Sequence, residues 1–233
     1  MKILTTLLFV LGVALAANSL EDARNLFNNG KFSEAAKVAL TLESSAGYAF
    51  ASRSLFEFSN QQPKEARLSI LEQAEKYAQK AVKLDVQNPD AYFEVGSTTG
   101  QIGMLRGAAY AFASGVAVVS RENFEKALAL NAKHVQSMIA LGSWHAEIVS
   151  RGVGFLYGGK LEQVFLLFDN AVLIAPKSIT AHLFYARAFL KLDEQKYRNQ
   201  ARSQLEIAVK LEANSFLEKR ALENAKQMLA SLK

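Results

Sequence analysis

Apolar and polar residues follow each other along this chain with the period of a helix, and one amphipathic unit returns four times. The copies read AQKAVKLDVQNPDAYFEVG around Ala81, FEKALALNAKHVQSMIALG around Ala127, FDNAVLIAPKSITAHLFYA around Ala171 and LEIAVKLEANSFLEKRALE around Ala208. Each holds an apolar stripe with a small residue on it, then turn residues, then a new helix start. Helix, turn and helix repeated at this length mark a helical array, in which no unit buries its apolar face alone and neighbours must stack. No segment alternates with the two-residue period of a strand over a useful length.

Capping residues set the expected boundaries. Ser19, with Asp22 three residues on, opens a first helix that Asn28, Asn29 and Gly30 close. A second runs from Ser33 to Glu43, and a third opens at Ser44 and Ser45 and stops before Pro63. The fourth spans Lys64 to Val86, and Asn88 caps a fifth with Pro89 at its first position. Later starts fall near His134, near Lys160, at Ser178, and at Ser215 with Glu218 as a capping box. The expectation is an all-α chain of about ten helices in about five pairs.

The small residues Ala81, Ala127, Ala171 and Ala208 are 46, 44 and 37 residues apart, so the middle repeats are lengthened. Two insertions supply the extra length. Segment 103–123, GMLRGAAYAFASGVAVVSREN, is apolar and is expected to continue as helix, bent or closely packed at Gly103 and Gly107. Segment 151–164, with Gly152, Gly154, Gly158 and Gly159, is expected to be a loop.

These residues resemble the tetratricopeptide-repeat (TPR) superfamily along nearly all of the chain after its N-terminus. Gly30-Lys31-Phe32 with Ala35 matches the family's glycine, aromatic and alanine at a helix turn. Tyr92, Val95 and Gly96, then Leu141-Gly142 and Tyr185-Ala186, match its large-then-small pattern, and Pro176 supplies a closing proline. Lys219 and Glu223 replace large and small residues in the last repeat, as a capping helix with a wet outer face would require. The segments GMLRG, ENFEKALALNAKH and ALGSWHAEIVS resemble the regulator of microtubule dynamics family more narrowly. The exported, helix-paired character is also similar to the periplasmic TPR component associated with tripartite (TRAP) transporters. The resemblance implies a right-handed superhelical array whose concave face is built from the first helix of each pair.

The N-terminus changes the picture of where such an array works. Lys2, an apolar run from Ile3 and Ala14-Leu15-Ala16 have the order of a secretory signal peptide, too short to span a membrane comfortably. Residues 1–16 are therefore expected to be removed, leaving a repeat domain over 17–233 that is periplasmic or secreted and has no stable membrane insertion. The sequence has no cysteine, so the fold needs no disulfide and no lipidated cysteine follows the signal. The net charge of +5 comes from Lys and Arg interspersed with Glu and Asp, so neither nucleic acid nor a membrane surface is implied.

Three sets of residues invite chemistry. Gly154 to Lys160 fits G-x-x-x-x-G-K, but Leu161 stands where a phosphate-binding loop needs Ser or Thr, and no strand precedes it. His145 and Glu147 beside Trp144 lack the spacing and the further ligands of a zinc site, so no metal or other cofactor is expected and Trp144 is read as core with a bonded indole N–H. Arg106, inside an apolar stretch, is read as the structural partner of Glu94 or Glu147, with Arg121 and Arg151 near the same network. The alternative is an anion-binding role in the groove. No catalytic constellation stands out.

The expected function is a non-catalytic exported adaptor that binds a protein or peptide partner on its concave face. The family pattern places Gln136, Ile139, Ser143 and Ala146 of one repeat, and Thr180, Leu183 and Arg187 of the next, on that face. The rival is a small-ligand module for an organic acid, with Tyr92, Arg106, Tyr110 and Trp144 around a pocket and a small-molecule anion as its ligand. The oligomeric state is left open.

Overall fold

Side chains cap the helices that start after Ser44, Asn88, His134, Ser178 and Ser215, and the computed structural model, which describes residues 20–232, places these starts where the sequence predicted them. Residues 1–16, and the cap expected from Ser19, lie outside the described residues. Every regular element among those described is helical, and the fold is an all-α TPR-like array. The chain divides into two compact units, one ending at Arg106 and one beginning at Gly107.

The N-terminal unit holds α1 (20–28), α2 (Phe32–Leu40), α3 (Ser45–Asn60), α4 (Lys64–Leu84) and α5 (Pro89–Arg106). Gly30, at φ +80°, turns the chain out of α1, and Phe32 and Ala35 are buried at the joint as the motif required. Its core is made largely of alanine: Ala23, Ala36, Ala39 and Ala51 pack together, and Ala49, Ala81 and Ala91 gather around Tyr48. Small side chains let helix axes approach closely, with aromatics filling what remains, as Phe27 does against Phe32 and Phe50 at 4.9 and 5.4 Å. Asn88 joins two repeats. Its Oδ1 accepts from the Asp90 and Ala91 N–H groups, capping α5, while its Nδ2 donates to Ser45 Oγ at the start of α3.

The C-terminal unit holds α6 (Ala108–Ala113), α7 (Val116–Leu130), α8 (Val135–Ser150), α9 (Gly154–Tyr157), α10 (Leu161–Ile174), α11 (Ile179–Ala208) and α12 (Phe216–Ser231). His134 Nδ1 accepts from the Ser137 N–H, Ser178 Oγ from Ala181, and Ser215 with Glu218 forms the reciprocal box. At Gly142 a Cβ would come within 2.8 Å of the Phe168 ring, so glycine here sets how closely α8 and α10 pack. α11 is two helices in one. Asp193 at φ −168°, ψ 104° interrupts it, and Asp193 Oδ1 accepts from the Lys196 N–H to cap the second segment. The segments 179–192 and 194–208 are thus a helix pair with no loop between them. α12 buries Ala221 and Ala225 and exposes Lys219 and Glu223.

Two expectations need correction. Segment 103–123 is not one continued helix: Gly107 at φ +93° and Gly115 at φ +65° break it on both sides of α6. Side chains rarely adopt that left-handed backbone, and a helix cannot run through it. Segment 151–164 carries the single turn α9 and the start of α10 as well as loop.

Candidate functional site

An array of helix pairs offers partners the face made by successive first helices. In the N-terminal unit α3 lies beside α5, and in the C-terminal unit α8 lies beside the first segment of α11.

On the second of these faces Glu147 is the charged centre. Its carboxylate accepts from Arg151 on its own helix and from Lys191 on α11. Glu147 and Lys191 stand equally far from their helix starts, Val135 and Ile179, so the bridge joins equivalent positions of consecutive repeats. Burial works against the Glu147 charge, but the hydrogen bonds and charges of Lys191 and Arg151 outweigh it and hold the carboxyl below its ordinary range. Gln136 and Ser143 on α8 and Thr180 and Arg187 on α11 are half-buried. The Arg187 guanidinium lies 5.0 Å from the centre of the Phe184 ring, and burial lowers its pKa.

Other predicted groove residues have different places. Ile139 is 8% exposed, and Ala146 and Leu183 are buried further, so all three fill the space between helices instead of lining open surface. Trp144 turns toward α7, where its Nε1–H donates to the Ala117 carbonyl at 2.9 Å and its ring meets the Arg121 guanidinium at 5.6 Å. That is the bonded indole expected of a core tryptophan. Tyr92 and Arg106 belong to the N-terminal unit, whereas Tyr110 and Trp144 belong to the C-terminal one.

Arg121 and His145 also fasten the glycine-rich segment. Arg121 Nη1 donates to the Tyr157 carbonyl at 2.7 Å, and the Lys160 N–H donates to His145 Nδ1 at 3.2 Å. Burial, aided by the Arg121 charge, lowers the His145 pKa to about 4, which keeps the imidazole able to accept. The Gly158 and Gly159 N–H groups both donate to the Gly154 carbonyl. They are turned into the segment's own turn and do not form the outward nest a phosphate needs.

In the N-terminal unit the notable group is Glu94, only 3% exposed. Burial pushes its carboxyl up to about 8, opposed by the Arg53 charge and reinforced by Asp90 and Glu57. Arg106 pairs with Glu72 on α4, the side chains being 35% and 39% exposed. The partners foreseen for it lie elsewhere. Glu94 is on the same helix about 18 Å along the axis, and Glu147 is engaged by Arg151 and Lys191. The Glu147–Lys191 bridge was within reach of the sequence, since both sit at one register position of matching repeats. The Glu72 partner was not, because nothing in the pattern fixes which residue of α4 faces the end of α5.

Among known proteins, the family described as regulator of microtubule dynamics protein 1-3 matches residues 19–153. No curated protein matches the chain. Of solved structures, a thermophilic TPR protein of Thermus thermophilus is similar at 19% identity and a TM-score of 0.51, over 78% of this chain and 86% of that one. MamA is similar at 15% identity and a TM-score of 0.42, over 84% and 91%. YrrB, described as a TPR protein with an unusual peptide-binding site, is similar at 18% identity and a TM-score of 0.39, over 77% and 83%. At 19% identity the first of these bears on fold alone.

Proposed function

The chain belongs to the regulator of microtubule dynamics protein 1-3 family, and on that footing we propose that it is an exported, non-catalytic adaptor binding a protein or peptide partner on the α8–α11 face. The observation that carries the reading is the adjacency of these two first helices. It leaves Ser143 and Arg187 half-buried one turn from the Glu147–Lys191 bridge, with Gln136 half-buried nearer the start of α8. A face of that kind mixes packed apolar floor with polar groups able to hydrogen-bond an extended peptide or a helix. Export is supported by the order of Lys2, apolar run and Ala14-Leu15-Ala16.

The test compares crosslinked complexes of the wild-type chain and of Ser143→Arg with Arg187→Glu, recovered from the producing cell's own periplasm or medium. A partner captured by the wild type and lost by the double variant, with both equally folded, supports the reading. Capture unaffected by the double variant moves the binding surface elsewhere. Stabilisation by small organic acids without any protein partner favours the ligand-module alternative, and co-sedimentation with polymerised tubulin would assign the partner by the family's name. Intact mass of the exported protein checks the leader: cleavage after Ala16 is expected, and a chain retaining Met1 in the membrane fraction contradicts it.

A further inference from the structure

The α8–α11 face carries one cation more than it neutralises. Along α8 and segment 179–192 of α11 the charged side chains, histidines aside, are Glu147, Arg187 and Lys191. Glu147 already accepts from Lys191 and from Arg151 at the end of α8. Asp169, on α10, accepts from the Tyr185 hydroxyl at 2.8 Å. Arg187 is half-buried, and among the described residues no carboxylate pairs with it and no hydrogen bond engages it; its guanidinium lies against the Phe184 ring. Burial lowers its pKa with no neighbouring charge as a cause, which is what a cation held partly out of water without a counter-ion should show. Ser143 and Arg187 stand equally far from their helix starts, one turn before Glu147 and Lys191. Ser54, Ser59 and Ser150 each donate to a carbonyl of their own helix. Ser143 makes no such bond among the described residues, so adjacent first helices each offer an uncommitted donor at one register position.

We infer that Arg187, assisted by the Ser143 hydroxyl, holds a side-chain carboxylate of the partner, so that the segment bound on this face carries an aspartate or glutamate within its length. The inference rests on the adaptor reading above and names the chemistry its partner must bring. A guanidinium presents its N–H donors in a planar fork that fits a carboxylate bidentately, and stacking against a ring leaves that in-plane fork free. The same physics excludes a neutral or basic occupant. A partner that covered Arg187 without an anion would complete its desolvation and leave a buried charge unpaired, which costs several kcal/mol. Ser143 adds a neutral donor, which suits an oxygen already facing a cation. Polar positions continue on both sides of Arg187 along α11, at Thr180 toward the helix start and at Lys191 beyond. The contact therefore falls within the face, where a passing chain presents a side chain and not its terminus.

The experiment pans a random peptide library, with each peptide fused through its C-terminus so that none has a free carboxyl end, on the full wild-type chain and on Arg187→Met. Peptides selected by the wild type are expected to share an aspartate or glutamate at one position, and those selected by Arg187→Met to lack it. For a selected peptide made synthetically, changing that acid to its amide should weaken binding to the wild type by about tenfold to a hundredfold, as the loss of charged hydrogen bonds does, and leave binding to Arg187→Met unchanged. Methionine keeps an unbranched stem over Phe184 and breaks no ion pair, so the variant's thermal melt should be no lower than that of the wild type. Selected peptides with no shared acid overturn the inference while leaving peptide binding intact, as does an acid whose replacement weakens both proteins equally. Binding that needs a free C-terminus, lost when the synthetic peptide is amidated, also overturns it and assigns the face to a chain end. A lowered melt with unchanged peptide preference gives Arg187 to the fold instead. No peptide selected by either protein fails the adaptor reading itself, and this inference with it.

Discussion

Replacing Glu94 by glutamine should make the protein more stable at neutral pH and no more stable in acid. The effect begins with burial: the Glu94 side chain on α5 is 3% exposed, with Arg53 and Glu57 of α3 among the charges around it, and its pKa is raised from 4.5 to about 8. A folded pKa above the unfolded one means that the folded state holds a proton the unfolded chain has released throughout that window. Stability is therefore full below about pH 4.5 and falls as pH rises toward about 8. At ~1.4 kcal/mol for each pH unit, the interval from 4.5 to neutrality corresponds to about 3 kcal/mol. Glutamine keeps the shape and the hydrogen bonds of a protonated carboxyl and has nothing to ionise. The Glu94→Gln advantage should then be near zero at about pH 4, grow through pH 5 and 6, and reach about 3 kcal/mol at pH 7.

Comparing the two proteins at each pH cancels the titration of groups that do not interact with Glu94. Because the chain has two compact units, a single global melt mixes their transitions. Hydrogen exchange of α3 and α5 amides, followed with urea titrations, reads the unit that matters. Arg53 is the competing influence, since its charge favours the carboxylate. Were Arg53 to prevail, Glu94→Gln would remove half of an ion pair and destabilise the protein at pH 7. That outcome, or a stability difference that does not change with pH, refutes the reasoning.

Three further outcomes follow from named contacts. Gly142→Leu should unfold the C-terminal unit more readily than Gly158→Ala, as read by urea melts: a Cβ at 142 already meets the buried Phe168 ring, an overpacking of about 1–3 kcal/mol, whereas at Gly158 the φ of +76° strains alanine by about 1 kcal/mol and the added Cβ meets only the far end of the flexible Arg121 side chain. Arg106→Met should change stability by no more than about 1 kcal/mol in a thermal melt, because its pair with Glu72 is well over a third exposed on the glutamate side; a loss of several kcal/mol would show a buried network instead. Acid should release the glycine-rich segment before the rest of the unit. The lowered His145 pKa means its contribution is complete above about pH 6.5 and lost as pH falls through about 4, when the ring gains a proton and no longer accepts from Lys160. Faster exchange of the Lys160 amide near pH 4 in the wild type, matched at pH 7 by His145→Ala, checks it.

Helix boundaries were legible because they are local: Ser44, Asn88, Ser178 and Ser215 bond to backbone within three residues, and such bonds follow from sequence spacing alone. Gly142 was legible for a related reason, its small-residue position recurring from repeat to repeat. What stayed hidden depends on which face a helix turns to a neighbour. Trp144 and Ser143 are adjacent in sequence, yet Trp144 faces α7, and only the contact between α7 and α8 decides that. The break at Gly107 was hidden for a different reason. Glycine tolerates a helix interior as well as a left-handed turn, and an apolar stretch without a polar cap gives no sign of which it adopts.

The same locality bears on how this chain can acquire function. Its repeat positions are occupied by alanine, glycine and aromatics that settle how closely helices pack, as at Ala81, Gly142 and Phe168. Those positions tolerate little change, since they are filled. The short helices α6 and α9 carry less of that constraint: they bury no residue, although Gly159 beyond α9 packs tightly on Ile148, while Arg121 and His145 hold the second of them in place from α7 and α8. α9 is thus held by hydrogen bonds at Tyr157 and Lys160 and not by burial of its own side chains. Substitutions should therefore separate by place, costly at the helix joints, where Gly142 meets Phe168, and of little effect on stability at the exposed Phe112, Phe155 and Leu156.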